Sequence, residues 1–311
     1  MEVQDRGEVP MFNALAPVFA LILLGHVLRC LEFPARSFWP EAERVTYYLF
    51  LPALFLNNLA AADFSRLAAA PLALSLVLAI AAACLLLLAL RPLLGLPGPA
   101  FSSLFQGGVR MNTYVGLAGA AAIMGQRGLT LSAVALVAMI PLINAACVPV
   151  VAHFGSNGAP GVRGVLRELA RNPLILACLG GFALNLMGLP LPQSLRDVLT
   201  LLGRVSLPLG LMAVGAALEF GNARAHARGV VLSAAAKLAL LPALAAAACA
   251  LLGVGGEERT IAVLFAALPT SSSAFILARQ LGGDTALMAA IITAHTLLSF
   301  ATMPLALSLL G

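Results

Sequence analysis

Along the chain, long apolar stretches alternate with short breaks that carry charge, proline or glycine. At about 20 residues per span, the apolar stretches predict ten transmembrane helices. They lie near residues 11–29, 44–61, 70–95, 101–124, 129–152, 172–188, 198–218, 229–252, 260–280 and 284–309. The sixth is the shortest. The longest break, 153–171, falls halfway along the chain and is rich in glycine and arginine.

Composition agrees with this pattern. Of 311 residues, 61% are hydrophobic and 10% charged, against about 25% charged in soluble domains. The chain reads as an all-α integral membrane protein. Its net charge of +5 is spread through the breaks and forms no basic block, which excludes a nucleic-acid partner. The five cysteines are dispersed, mostly within apolar runs, with neither metal-ligand spacing nor a disulfide framework. No cofactor and no metal are expected. The first ten residues, MEVQDRGEVP, are acidic, a poor match to the basic start of a signal peptide; the first apolar run is therefore expected to be a retained span.

The arginines orient the spans. Ten lie in the breaks after odd spans, against five (Arg6, Arg66, Arg127, Arg196 and Arg259) at the N-terminus and after even spans. Basic loops stay cytoplasmic, so both termini are expected outside the cell's inner membrane. The second half also echoes the first. Leu51-Pro52 matches Leu207-Pro208 at a shift of 156, Asn112-Thr113 matches Pro269-Thr270 at 157, and Pro149 matches Pro304 at 155. Chance recurrence in a Leu-, Ala- and Pro-rich chain is the competing explanation. Five spans per unit is an odd number, so the second unit inserts upside down, as in the inverted repeats of secondary transporters. The expected organisation is a first five-helix repeat over 1–153, a cytoplasmic linker over 154–171 and a second, inverted repeat over 172–311.

The repeat pairs span 4 with span 9, and these hold the two most polar interruptions of any membrane run: V-R-M-N-T-Y-V-G from Val109 and A-A-L-P-T-S-S-S-A-F from Ala266. Pro269 removes a backbone donor and disfavours helix at the residue before it, and Asn112 and Thr113 compete for backbone partners. Non-helical backbone at membrane depth survives only inside protein or beside a water-filled cavity. Spans 4 and 9 are therefore expected to be broken helices that cross near the midplane and offer freed amides to an anion. Read alone, the serines of span 9 also fit a small-residue helix contact.

No acidic residue falls deep within a span, whereas three cations do fall within or near membrane depth: Arg110, Arg204 and Lys237, the only lysine. A charge at the bilayer centre costs at least about 2.5–3.5 kcal/mol, so such residues are functional or paired by default. Cations alone point to an anionic substrate, or to a fixed charge in place of a coupling cation. Arg204 is near enough to the end of its span to snorkel; Lys237 either snorkels or faces the cavity. His295, central in span 10, is a proton relay or a neutral core histidine. Asn57, Asn58 and Asn144 are interhelical hydrogen-bond formers by default. Asn57 follows the Pro52 distortion and is the best of the three to line a cavity. Trp39, beside Phe38 and Pro40, reads as an interfacial anchor.

Several segments, in order along nearly the whole chain, resemble the bacterial branch of the auxin efflux carrier family. They include L-I-L-L-G-H-V-L-R, Y-Y-L-F-L-P-A-L-F, R-M-N-T-Y-V-G-L-A, N-P-L-I-L-A-C-L-G-G, S-L-P-L-G-L-M-A-V-G, K-L-A-L-L-P and L-P-T-S-S-S-A-F-I-L-A-R-Q-L-G-G-D. The resemblance implies two inverted five-helix repeats with crossed broken helices 4 and 9, the fold shared with bile-acid symporters and sodium/proton antiporters. It further implies a scaffold of spans 1, 2, 6 and 7 and a mobile core of spans 3–5 and 8–10, with substrate at the crossing. Plant members export indole-3-acetate, and bacterial members are taken to carry small carboxylates such as malate or malonate. Asn112 matches the family's crossover asparagine. This chain has Met111-Asn112 where plant carriers have the first crossover proline, and it lacks their long hydrophilic central loop.

The reading that follows is a secondary transporter of a small organic carboxylate, auxin-like or dicarboxylic, working by elevator-type alternating access. Its substrate residues are expected to be Asn112, Thr113, Tyr114, Pro269, Thr270, Ser271, Ser272 and Asn57, with Lys237, Arg110 and His295 supplying charge or coupling. The expected partners are the organic anion, the lipid bilayer and, through the scaffold helices, a second copy. A substrate-sensing receptor on the same fold, a sodium-coupled symporter of another solute and a channel remain as alternatives. An enzyme is disfavoured, since the four histidines are dispersed and Ser271–Ser273 have no nearby histidine in sequence.

Overall fold

The computed structural model describes residues 11–62, 68–156, 171–220 and 226–311. Most of the 154–171 linker lies outside the described residues, as do Arg6, Arg66, Arg163, Arg167 and Arg224 of the charge bias. The described elements are all helical. In chain order they are α1 (Met11–Cys30), α2 (Phe38–Val45), a π turn (Thr46–Phe50), α3 (Leu51–Ala60), α4 (Ala69–Leu94), α5 (Gly98–Val109) and α6 (Thr113–Phe154). There follow α7 (Pro173–Leu186), α8 (Gln193–Ala216), α9 (Ala227–Ala234), a second π turn (Ala235–Leu240), α10 (Leu241–Leu251), α11 (Gly256–Ala267), α12 (Ser273–Leu281) and α13 (Thr285–Leu310). A helix satisfies its own backbone, the first requirement of a chain that enters lipid.

Among the described residues, six helical stretches are long and apolar enough to cross a membrane: Phe12–Cys30, Ala69–Leu94, Gly98–Phe154, Gln193–Ala216, Ala227–Leu251 and Thr285–Leu310. Pro173–Leu186 is a shorter apolar helix. The surface agrees, because large apolar side chains such as Leu23, Leu85, Leu93, Leu201, Leu251 and Leu309 stand exposed around it. Water would not tolerate so much apolar surface on a monomer, whereas lipid tails do.

The Gly98–Phe154 stretch has 57 residues. At about 1.5 Å per residue it would far exceed a hydrocarbon core of about 30 Å if it ran straight. It breaks twice. The first break, at 110–112, belongs to the central site. At the second, inside α6, Gly125 takes φ 56°, ψ −134°, a left-handed φ that costs glycine little. The chain folds back there: a Cβ placed on Gly128 would run into the Ala120 carbonyl, whereas eight residues of continuous helix would separate the two by about 12 Å. Arg127, just past the turn, pairs with Glu257 and Glu258 at the start of α11.

Both π turns end where a proline starts the next helix, at Pro52 in α3 and Pro242 in α10. A proline ring clashes with the carbonyl four residues back and offers it no donor; widening the preceding turn accommodates both faults. The second π turn carries Lys237.

The helices sort into two packed groups. α1 lies along α8, and α3 along α7 and α8. Glycine lets the first pair touch closely, since a Cβ at Gly215 of α8 would strike the Ile22 carbonyl of α1. The second group packs α4 on α6 and α10, and α11 on α6, α10 and α13. At its centre, residues 101–112 and 261–270 are buried without interruption, and Phe101, Phe105 and Phe265 are among the largest fully buried side chains.

Candidate functional site

α5 stops at Val109, and Arg110 takes an extended conformation (φ −68°, ψ 154°). The chain stays non-helical through Asn112 and re-enters helix at Thr113. Asn112 starts α6: its side-chain oxygen accepts the backbone N–H groups of Tyr114 (3.1 Å) and Val115 (3.3 Å), as an N-cap residue should. α11 stops at Ala267, and Leu268 is extended (φ −60°, ψ 146°), the conformation that the following Pro269 favours. Helix resumes at Ser273.

The two breaks meet. The Asn112 backbone N–H donates to the Pro269 carbonyl at 2.8 Å. The Thr270 hydroxyl sits within reach of the Gly107 carbonyl (2.9 Å) and the Arg110 carbonyl (3.2 Å) and donates to carbonyls that the end of α5 leaves open. Asn112, Pro269 and Thr270 are all buried and work through these ties rather than by facing open space.

A cavity of about 170 Å3 opens beside the crossing. Arg110, Thr113, Tyr114 and Ser271 line it, together with Glu43, Tyr47, Asn144, Asn172 and Ser273. Arg110 donates to the Asn144 side-chain oxygen (3.1 Å) and the Ser273 hydroxyl (3.4 Å). The Tyr114 hydroxyl donates to the Glu43 carbonyl (3.4 Å), and its ring fits because α8 has glycine at 210, where a Cβ would strike it. Asn172 caps α7 through its oxygen and donates to the Tyr47 hydroxyl (3.1 Å). A second cavity of about 290 Å3, lined by Arg29, Arg36, Trp39, Glu219 and Ser272 among others, lies on the other side of Glu43. The Ser272 hydroxyl donates to the Glu43 carboxylate at 2.7 Å, and Glu43 borders both spaces.

Of the residues singled out in the sequence, Arg110, Thr113, Tyr114 and Ser271 share the first cavity, and Ser272 faces the second. Asn57 is elsewhere, donating to the Thr200 hydroxyl (3.1 Å) where α3 packs on α8. Lys237 neither snorkels nor faces the cavity. It is fully buried, and its ammonium donates to the carbonyl of Ala266 (3.1 Å), the next-to-last residue of α11. His295 is also fully buried, on the helix that packs against the Lys237 turn, and neither ring nitrogen has a hydrogen-bond partner among the described residues. Arg204 is exposed on α8. Trp39, read as an interfacial anchor, is buried on the wall of the second cavity.

Asn144, read as an interhelical hydrogen-bond former, holds Arg110 at the cavity, while sequence reasoning missed Glu43, Tyr47, Asn172 and Ser273 as lining residues. In the sequence Glu43 lies just outside span 2, among loop charges. The i, i+4 spacing of Glu43 and Tyr47 was the available signal, because it puts both on one face of the helix entering that span.

With the geometry in place, comparison with known proteins is informative. Residues 162–307 match the family described as "Membrane transport protein". A Rhizobium meliloti (strain 1021) protein named "Putative malonate transporter" is 30% identical, and the alignment covers 92% of each chain. An "Uncharacterized transporter" of Methanothermobacter thermautotrophicus is 26% identical, over 93% of this chain and 94% of its own. The protein is thus a multi-pass membrane transporter and not an enzyme, and its chain belongs to the auxin efflux carrier family of membrane transport proteins.

Proposed function

We propose that the protein is a secondary transporter of a small organic carboxylate that works by elevator-type alternating access. The observation that carries this reading is the Arg110 cavity at the meeting point of two broken helices. Arg110 is only 9% exposed, and its two hydrogen-bond partners are neutral. A buried charge without a counter-charge is costly, and a bound carboxylate supplies one. Arg110, Thr113, Tyr114 and Ser271 contact the anion in this reading, and Ser272 faces the second cavity and holds Glu43. Asn112, Pro269 and Thr270 hold the crossing in shape, and Asn57 holds α3 to α8.

The architecture proposed with it has ten passes. To the six long stretches it adds a second pass from the fold at Gly125, the helix 38–60 with its π turn, the short helix Pro173–Leu186 and the broken helix 256–281. Residues 1–153 and 172–311 form inverted units joined by a cytoplasmic linker over 154–171, with both termini outside the inner membrane. The α1, α2, α3, α7 and α8 group is the scaffold, and the remaining group carries the substrate past it. Apolar residues facing outward on α7, such as Leu176, Leu179 and Phe182, support a scaffold-mediated homodimer. Lys237, on a carbonyl near the α11 break, takes the place that a coupling cation has in related architectures, with His295 behind it. Transport is then independent of sodium and driven by the membrane potential acting on the anion.

The relative named for malonate makes that compound the first to try. Purified protein in liposomes would be given labelled malonate, malate, indole-3-acetate and short monocarboxylates, with and without sodium, at set voltage. Saturable flux of one carboxylate is expected, unaffected by sodium and lost in Arg110→Ala, with Lys237→Ala losing the voltage dependence. Movement of cations or neutral amines with no carboxylate flux would overturn the reading.

A further inference from the structure

The first cavity has two charged residues in its lining, Arg110 and Glu43, and among the described residues neither pairs with an opposite charge. Arg110 donates to Asn144 and Ser273, and its Nε has no hydrogen-bond partner among the described residues. Glu43 accepts a hydrogen bond from Ser272 at 2.7 Å, and the ion pairs of neighbouring Glu41 and Arg44 are made with each other. A ligand that fits must therefore be negative at the Arg110 end and a hydrogen-bond donor at the Glu43 end. A dianion brings a second carboxylate against Glu43, where like charges repel. A plain monocarboxylate brings Glu43 an apolar tail and no donor beyond the Ser272 hydroxyl it already has. At about 170 Å3 the space is also smaller than the roughly 300–1,000 Å3 of cavities for drug-sized ligands, which favours a short chain over an aromatic acid.

Resting on the carboxylate reading above, we infer that the site takes a short dicarboxylic acid in its singly protonated form. The ionised carboxylate faces Arg110, and the neutral carboxyl donates its proton in a hydrogen bond to the Glu43 carboxylate. A hydrogen bond from a neutral acid to a carboxylate is among the short, strong ones. Other polar groups surround Glu43. Tyr114 donates to its backbone carbonyl, Tyr47 lies one turn further on, Ser272 donates to its side chain, and Arg29, Arg36 and Glu219 line the second cavity that it also borders. Glu43 is thus a specificity residue: it reads the protonation state of the substrate.

The test uses the full-length protein in liposomes with the same pH on both faces. Labelled malonate is the probe, and malonamate, the monoamide, is the competitor. Malonamate has one carboxylate and a far end that donates hydrogen bonds at every pH. Apparent affinity for malonate is expected to fall about tenfold per pH unit once its second carboxyl ionises, while malonamate competes equally well throughout. Glu43→Gln, whose amide can donate to the dianion, is expected to flatten the malonate profile. Malonate affinity that stays constant with pH in the wild type overturns the inference and leaves the carboxylate reading standing. So does β-alanine, with an ammonium at the far end, competing better than malonamate. If neither malonate nor any monocarboxylate moves at any pH, the carboxylate reading itself fails and takes the inference with it. The malonamate comparison needs only wild-type protein, so it decides the matter even if Glu43→Gln does not fold.

Discussion

At residues 110–112 the chain interrupts its helix with a side-chain cap, and at 268–272 it does so with a proline. The first break is short and buried: Asn112 takes the N–H groups of Tyr114 and Val115, and its own N–H goes to Pro269. The second break is longer, and its serines lie partly open, with Ser271 and Ser273 on one cavity and Ser272 on the other. One break contributes fixed charge through Arg110, and the other contributes hydroxyls that can turn to suit a ligand. The two halves of one crossing thus divide the work. A cation at the end of a sealed break is held in place, while adaptable donors sit where the helix start is less occupied.

The sharpest way to break this division is at the charge. Arg110→Gln keeps hydrogen-bonding capacity and removes the cation. Hydrogen bonds to charged groups are worth about 1.5–3 kcal/mol, so carboxylate binding is expected to weaken roughly ten- to hundredfold, read as a rise in the half-saturation concentration for uptake. Next comes the cap. Asn112→Ala should cost about 0.5–2 kcal/mol of stability, seen as a lower midpoint of thermal unfolding in detergent, and Asn112→Asp should recover most of it. A smaller effect is expected at Thr270→Val, which keeps the shape of the side chain and deletes the hydroxyl that serves α5, at about 1 kcal/mol. Pro269→Ala should be the mildest for stability, at about 0.4–1 kcal/mol through a freer unfolded chain, because the Pro269 carbonyl that binds Asn112 is still present in alanine. If Pro269→Ala proved more damaging than Asn112→Ala, the sealed break would not be the one that holds the crossing together.

Much of this was legible in the sequence because helix breaks in an apolar run are local events. Pro269 and Asn112 interrupt their own segments, and no tertiary knowledge is needed to see it. The walls of the cavity were not local. Glu43 reaches Ser272 across 229 positions and Tyr114 across 71, and a lone acid at the start of a span looks like any loop charge until those partners are known. Asn57 shows the converse. It sits beside a proline distortion, yet the face of α3 that carries it turns to Thr200. Lys237 escaped for a different reason. It lies in a π turn, where the residue count per turn departs from 3.6, so helical periodicity cannot say which way its side chain points. The loss of regular phase brought it to the Ala266 carbonyl rather than to lipid or cavity.

Trp39 is the chain's single tryptophan. It is 6% exposed and shares the second cavity's wall with Glu43 and Ser272, its ring edge-to-face with Phe38 at 5.3 Å. The unlabelled protein therefore carries its own optical reporter. All indole emission comes from one wall of one chamber, with no second indole to dilute it. Water entering that chamber as the Glu43–Ser272 bond opens would shift the colour of the emitted light, and occupancy of the site becomes something that can be watched in real time without attaching a dye.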